Sequence, residues 1–172
     1  MGNPKLETKK DVEYKDCAKR IMNKHWEVGE IHDLYEPTYF LDWFVANPLA
    51  ILEFKARYHH SGKYKHNGEP TIILSLHKYN KMLEFHRNTG GSGIFVVWCA
   101  DQLMYSKIVP NEQIMPVLPA ITWGGRTDRE KDGIKGDKEP VLHIPVDKFK
   151  TVHIGGHAND ILLQGEHKPQ KT

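Results

Sequence analysis

Cysteine is scarce in this sequence and long apolar segments are absent. Its 172 residues include only Cys17 and Cys99, which cannot build a disulfide framework or a four-cysteine metal site. The longest apolar run, residues 94–100, has the length of a strand and falls far short of the ~20 residues of a membrane helix. The polar N-terminus does not contain the apolar core of a signal peptide. We therefore expect a cytoplasmic protein, in a reducing compartment, with no membrane partner.

Motifs of several enzyme classes are also missing. The sequence contains neither a P-loop nor a Gly-x-Gly-x-x-Gly, so nucleotide binding by those motifs is unsupported. No Gly-x-Ser-x-Gly occurs, which disfavours a serine hydrolase. The 11 histidines are irregularly spaced and, with two separated cysteines, assemble no four-ligand zinc set. A histidine metal site is the weaker alternative.

Charge is nearly balanced, with 24 Lys+Arg against 22 Asp+Glu and a net charge of +2. This balance argues against a non-specific polycation but leaves a local basic patch open. The length and the 39% of hydrophobic residues suit one folded domain. We expect a flexible lead over 1–10, a domain over 11–156 and a tail over 157–172. Within the domain, a core at 11–109 is followed by a strand extension at 110–156.

Hydrophobic periodicity predicts elements in the order α, β, β, β, α, β, β. A first helix is expected over 11–26, with Asp11 as its N-cap. A second helix is expected to begin at Thr71 or Ser75 and to end near Arg87. The predicted strands are 31–35, 39–45, 50–58, 93–100, 103–109, 141–146 and 151–154. Exposed loops are expected at 59–70 and 124–138, and the whole predicts an α/β fold with a mixed sheet.

The most informative stretch, residues 40–57, forms a predicted hairpin. Because Asn-Pro favours a turn, we centre the turn at 47–48, and the numbers of paired residues then sum to 95. Asp42 therefore lies across from Glu53, with Cβ atoms about 4.5–5.5 Å apart. Lys55, two residues beyond Glu53, points to the same face. Two acids and a lysine are predicted to converge.

Two opposed carboxylates repel each other unless something neutralises them. A divalent cation is one solution, because hard oxygen ligands at this separation suit Mg²⁺ or Mn²⁺. Lys55 would then orient or deprotonate a water, or offset charge on a phosphate. The other solution is structural, with Lys55 neutralising both acids in a salt-bridge cluster. The residues alone leave both solutions open.

The pattern Asp–hairpin–Glu-x-Lys, after a helix and before a helix and an apolar strand, resembles the PD-(D/E)xK nuclease superfamily. This superfamily includes restriction endonucleases, phage exonucleases and Holliday-junction resolvases. The resemblance covers about residues 11–109, and Leu replaces the Pro of the signature before Asp42. It implies a restriction-endonuclease-like αβββαβ core, with a mixed central sheet flanked by helices. It also implies a Mg²⁺- or Mn²⁺-dependent nuclease in which Asp42, Glu53 and the Phe54 carbonyl hold the metal and Lys55 assists the attacking water.

The same resemblance suggests residues outside the hairpin. Many members add a glutamate from the first helix, for which Glu13 is our candidate and Glu27 the weaker one. The second helix often contributes a polar residue, and Lys78 and Lys81, as i, i+3 neighbours, can point to phosphate together.

Basic residues with interleaved tyrosines follow the motif. Arg57, Lys63 and Lys65, with Tyr58 and Tyr64 between them, suit a surface that follows a nucleic-acid backbone or stacks bases. A solvated loop explains the same letters equally well.

By resemblance we favour DNA over RNA and an endonuclease over an exonuclease, in a phage or a DNA-repair system, and a homodimer stays open. The main alternative is a catalytically inactive nuclease-fold protein that binds nucleic acid or a partner protein. A third hypothesis is an accessory protein with no nucleic-acid role.

Overall fold

A computed structural model describes residues 9–25, 29–34, 41–108, 120–124 and 138–156. The helices and strands within these ranges are α1 Lys9–His25, β1 Ile31–Asp33, β2 Trp43–Val45, β3 Ala50–Ala56, β4 Lys65–His66, β5 Glu69–Ser75, α2 Leu76–Thr89, β6 Ser92–Trp98, β7 Gln102–Ile108, β8 Ala120–Gly124, β9 Glu139–Pro145 and β10 Lys150–Ile154. None of these helices is long and apolar enough to cross a membrane.

Two sheets organise the chain. The central sheet has six strands in the order β1-β2-β3-β6-β7-β10, and the second has four in the order β4-β5-β9-β8. β3 and β6 run parallel, whereas the other neighbours in the central sheet are antiparallel. A parallel pair needs a crossover connection, and here β4, β5 and α2 supply it. The mixed sheet that the sequence predicts is confirmed.

Each face of the central sheet has its own apolar cover. On one face α1 packs Tyr14, Cys17 and Met22 against β2, β3 and β6. On the other face α2 and the second sheet pack against β6 and β7, with Met82 and Leu142 fully buried. β6 is therefore buried on both sides, as its unbroken apolar run predicts, and the site hairpin lies beside it at β3.

Two expectations about boundaries are wrong, and an alternative that the sequence left open is decided. α1 begins at Lys9, so Asp11 lies in its first turn, where a negative charge still favours the helix dipole. Of the two starts predicted for the second helix, Ser75 is confirmed as the N-cap of α2, whereas Thr71 lies in β5. The stretch 59–70 is only partly a loop, because β4 and β5 form a hairpin across Asn67-Gly68.

The missed hairpin carried a readable signal. Asn67 has φ 50° and Gly68 has φ 84°, and two successive positive φ values are what the two-residue hairpin turn favoured by Asn-Gly requires. Residues 1–8 of the lead predicted over 1–10, the tail over 157–172 and most of the loop at 124–138 lie outside the described residues, and residues 9–10 belong to α1.

Candidate active site

The β2–β3 hairpin has the register that the sequence predicts. Trp43 pairs with Leu52 and Val45 with Ala50, and each pair of numbers sums to 95. Asp42 comes one residue before β2, and its backbone N–H donates to the Leu52 carbonyl at 2.9 Å. Its carboxylate therefore lies beside the strand that carries Glu53.

Alternation along β3 decides which way Glu53 points. Leu52 and Phe54 pack under α1, so the side chain between them takes the opposite face, toward α2. There Lys78 of α2 donates to Oε2 of Glu53 at 2.6 Å. Glu53 is fully buried, which is rare for a carboxylate unless it is paired.

Asp42 has both of its carboxylate oxygens occupied. Oδ1 lies 2.5 Å from Nζ of Lys15 on α1, and Oδ2 accepts the N–H of Phe54 at 2.8 Å. Burial alone would raise the pKa of Asp42, but the charge and hydrogen bond of Lys15, the Phe54 N–H and the charge of Lys78 outweigh it and lower that pKa. Asp42 is therefore held as an ionised carboxylate.

Glu53 is held differently from Asp42. Its Oε1 lies 3.1 Å from Nζ of Lys55 but makes no hydrogen bond. Burial, followed by the charge of Asp42, raises the pKa of Glu53 to about 6, against the lowering effects of Lys55 and Lys78. This buried oxygen is the position of the site that has an ion-pair partner but no hydrogen bond, and a buried polar atom of that kind calls for an explanation such as a bound ion.

The Phe54 backbone faces the same edge of the hairpin. A residue's N–H and C=O point to the same neighbouring strand in an antiparallel pair. Because the Phe54 N–H reaches Asp42, its carbonyl is also directed to the side where Asp42 lies. The site therefore combines two carboxylates and one carbonyl, all hard oxygen ligands.

This donor set fits a divalent cation. Within the described ranges, no three His, Cys, Asp or Glu side chains gather into a group that could hold a metal. A metal at this site would therefore have two carboxylate ligands, Asp42 and Glu53, and would need its other ligands from elsewhere. Mg²⁺ is commonly held by one or two carboxylates and takes its other ligands from water and substrate phosphate. Oε1 of Glu53, which has no hydrogen bond, and the Phe54 carbonyl are candidate ligands for such an ion.

Comparison with known proteins agrees with this geometry. A family model described as "Phage putative PDDEXK endonuclease" matches residues 1–152. The chain belongs to this PDDEXK endonuclease family. The resemblance that we draw from the hairpin is thereby confirmed, and membership supports a nuclease in general. No curated protein and no solved structure matches the chain.

Lys15 holds the place that we expected an α1 glutamate to take in this PDDEXK chain. Glu13 is exposed and lies two residues from Lys15, about 200° around the helix, so it projects away from the side that reaches Asp42. Glu27 lies outside the described residues. The structure gives the Glu13 hypothesis no support.

The sequence feature that points to Lys15 is its four-residue spacing from Lys19 on the first helix. Attention to acidic residues alone does not reveal it. Lys19, four residues on, lies 2.5 Å from Asp33 at the end of β1. The two lysines form one stripe on α1, which faces acids at the ends of β1 and β2.

The predicted phosphate-binding residues divide between two places. Lys78 joins the site at Glu53, whereas Lys81 pairs with Glu84 at 2.8 Å on the surface. Arg57 follows β3 and donates to the Ile73 carbonyl at 3.5 Å. Lys63 and Lys65 are exposed and lie in and next to the loop after β3.

Proposed function

We propose that this protein is an endonuclease that hydrolyses phosphodiester bonds of DNA with Mg²⁺ or Mn²⁺. The observation that carries the proposal is the fully buried Glu53, whose Oε1 has no hydrogen bond and whose carboxylate interacts with the charge of Asp42. Membership in a PDDEXK endonuclease family supports nuclease chemistry. The preference for DNA, the endonucleolytic mode and the cytoplasmic location rest on the resemblance and the composition.

In this proposal Asp42, Glu53 and the Phe54 carbonyl hold the metal. A bound divalent cation supplies a Lewis acid that polarises the scissile phosphate and lowers the pKa of a bound water. Lys15 and Lys78 keep the carboxylates charged, since both lower the pKa of Asp42 and Lys78 also lowers that of Glu53.

Lys55 is the residue placed to act on the reacting groups. Its side chain is 44% exposed, whereas the Glu53 side chain that it contacts is fully buried. The ammonium group therefore stands at the boundary between the buried acids and solvent. From there it orients the attacking water and offsets negative charge that develops on the phosphate.

The substrate backbone is expected to run from the site along the basic residues nearby. Arg57, Lys63 and Lys65 follow β3, and Lys78 and Lys81 lie on α2. Contacts of this type position a nucleic acid without reading its sequence. The homodimer suggested by the resemblance stays a prediction.

One observation favours the alternative of an inactive, nucleic-acid-binding protein. Lys15, Lys55 and Lys78 already give the two acids three positive partners. A fully neutralised cluster needs no metal to be stable. In that case the chain binds nucleic acid with a strong salt dependence but does not cut it.

The test is cleavage of supercoiled plasmid in EDTA, Mg²⁺ and Mn²⁺, with an RNA of similar length beside it. We expect metal-dependent nicking of the plasmid that is lost in Asp42→Asn, Glu53→Gln and Lys55→Met. Asp33→Asn and Lys19→Met are matched controls, because they remove a similar ion pair on the same face of α1, and both should cut normally. Salt-dependent binding without cleavage in any metal would establish the alternative instead.

A further inference from the structure

The loop 57–64, which follows β3, is bonded firmly to the central sheet. Ser61 is buried, and its N–H and hydroxyl donate to Oδ1 and Oδ2 of Asp101 at 2.8 and 2.7 Å. The Gln102 side chain donates to the Ser61 hydroxyl at 2.9 Å. Backbone bonds from Arg57 to Trp98 and from Ala100 to His59 fix the same loop. It is a built surface rather than a loose connection.

This firmly held loop exposes two aromatic rings. Tyr58 is 65% exposed and Tyr64 is 53% exposed. Tyr58 makes an edge contact with Tyr14 of α1 at 6.2 Å between ring centroids, and Tyr64 makes one with His59 at 4.5 Å. Each ring thus contacts another ring at its edge and keeps more than half of its surface exposed to solvent.

The segment that carries the rings is itself basic. Residues 57–66 contain three Arg or Lys, three His and no acid. Nζ of Lys63 lies 5.5 Å from the centroid of the Tyr64 ring. Aromatic rings within a positive surface are the combination that binds single-stranded nucleic acid, since bases stack while cations meet phosphates.

Tyr58 also lies near the candidate active site. Tyr58 comes five positions after Glu53, so even a fully extended chain places their Cα atoms at most about 18 Å apart. Tyr58 contacts Tyr14, and the next residue of α1, Lys15, holds Asp42. A strand bound in the site can therefore reach the loop within a few nucleotides.

A base in an intact duplex presents only its edges in the grooves. A ring can stack on a base face only where that base is unpaired, at an end, a flap, a branch or a flipped nucleotide. We propose that loop 57–64 stacks unpaired bases of the substrate through Tyr58 and Tyr64. The preferred substrate is then DNA with a single-stranded segment next to the cut, a conclusion that rests on the proposed nuclease function.

The first test measures stacking without cleavage. The Glu53→Gln protein in EDTA is titrated into a single-stranded oligonucleotide that carries 2-aminopurine, whose fluorescence falls when the base stacks. Changing both Tyr58 and Tyr64 to Leu should remove the quenching and weaken binding about tenfold or more, whereas Phe at both positions should retain it. Trp123→Leu removes an exposed ring on β8 and should change nothing. Unchanged quenching in the double Leu variant would overturn the inference.

The second test compares flapped and plain duplex DNA as substrates of the wild-type chain. We expect faster cleavage of the flapped DNA, and we expect the double Leu variant to lower that rate to the duplex rate without altering the latter. Equal cleavage of both substrates, insensitive to the tyrosines, would overturn the stacking inference and leave the nuclease intact. Loss of quenching in the Leu variant of a protein that cuts nothing would support stacking and contradict the proposed function.

Discussion

Two acidic clusters lie on the central sheet, and they are built in opposite ways. Asp101 accepts two hydrogen bonds from Ser61, and Gln102 and Thr151 extend the network with bonds of 2.9 and 2.7 Å. Glu53 is more deeply buried, yet one of its oxygens accepts no hydrogen bond. Its neighbour Asp42 adds a second negative charge.

This difference is the one expected between a structural cluster and a functional one. Folding strongly favours buried polar groups that are all hydrogen-bonded, because an unpaired one costs about 1–3 kcal/mol. The Asp101 network meets that condition and holds a loop in place. The Glu53 cluster does not, and strongly perturbed carboxylates of this kind concentrate at functional sites. We therefore propose that Glu53 is kept for a ligand rather than for stability.

Removing the Glu53 charge should abolish catalysis and spare the fold. Glu53→Gln is expected to lower the cleavage rate at least about 1,000-fold, because a metal ligand supplies several kcal/mol of transition-state stabilisation. Rates of plasmid nicking at saturating Mg²⁺ measure this, with circular dichroism to confirm folding and Asp33→Asn as the control. Nicking within a few fold of wild type would show that Glu53 is not a metal ligand.

The same substitution should alter how stability depends on pH. The folded-state pKa of Glu53 is raised from 4.5 to about 6, so its favourable contribution is complete below pH 4.5 and is lost as pH rises through 6. This amounts to about 2 kcal/mol of the free energy of unfolding of the wild type. Between pH 4.5 and pH 7, the free energy of unfolding of Glu53→Gln should therefore rise relative to that of the wild type by that amount. Urea unfolding without metal measures this difference.

The pKa of Asp42 is lowered, so its stabilising contribution is lost only in more acidic solution. It therefore does not contribute to the change expected between pH 4.5 and pH 7. If the difference in the free energy of unfolding between wild type and variant stayed constant across pH 4.5–7, the raised pKa of the buried Glu53 carboxylate would be contradicted.

Metal should stabilise the protein only through the cluster that contains Asp42 and Glu53. At ten times its dissociation constant, Mn²⁺ is expected to add about 1.4 kcal/mol, which raises the melting temperature by roughly 3–6 °C in a chain of this size. Asp42→Asn should lose the shift and Asp33→Asn should keep it. Thermal melts with and without Mn²⁺ decide this, and an equal shift in all three proteins would indicate binding elsewhere.

The Asp101 cluster should contribute to stability and not to metal binding. Ser61→Ala removes the hydroxyl that donates to Asp101 and accepts from Gln102, and we expect a loss of about 1 kcal/mol. The melting temperature should fall by roughly 2–4 °C, while the Mn²⁺ shift stays that of wild type. A Ser61→Ala protein that no longer responds to Mn²⁺ would mean that the two clusters are coupled.

The sequence predicted the parts of the site that depend on local pairing. The sum of 95 places Asp42 and Glu53 together because one turn sets the register of one hairpin. Lys55 follows from the two-residue period of a strand. The contact of Lys78 with Glu53 and that of Lys15 with Asp42 depend on how two helices dock on opposite faces, which no local pattern encodes.

Glu13 shows the limit of reasoning by resemblance. A family pattern supplies the residue type expected at a place, but the helix rotation that selects the facing residue comes from packing. Here Tyr14, Cys17 and Met22 fix that rotation by their burial against the sheet, and Lys15 is the charged residue that reaches Asp42.

The most direct test is a crystal structure with Mn²⁺, located by its anomalous signal. The account predicts a peak bonded to an oxygen of Asp42, to Oε1 of Glu53 and to the Phe54 carbonyl, at roughly 2.0–2.3 Å from each. A well-occupied peak elsewhere, or none at these oxygens at saturating Mn²⁺, would contradict it.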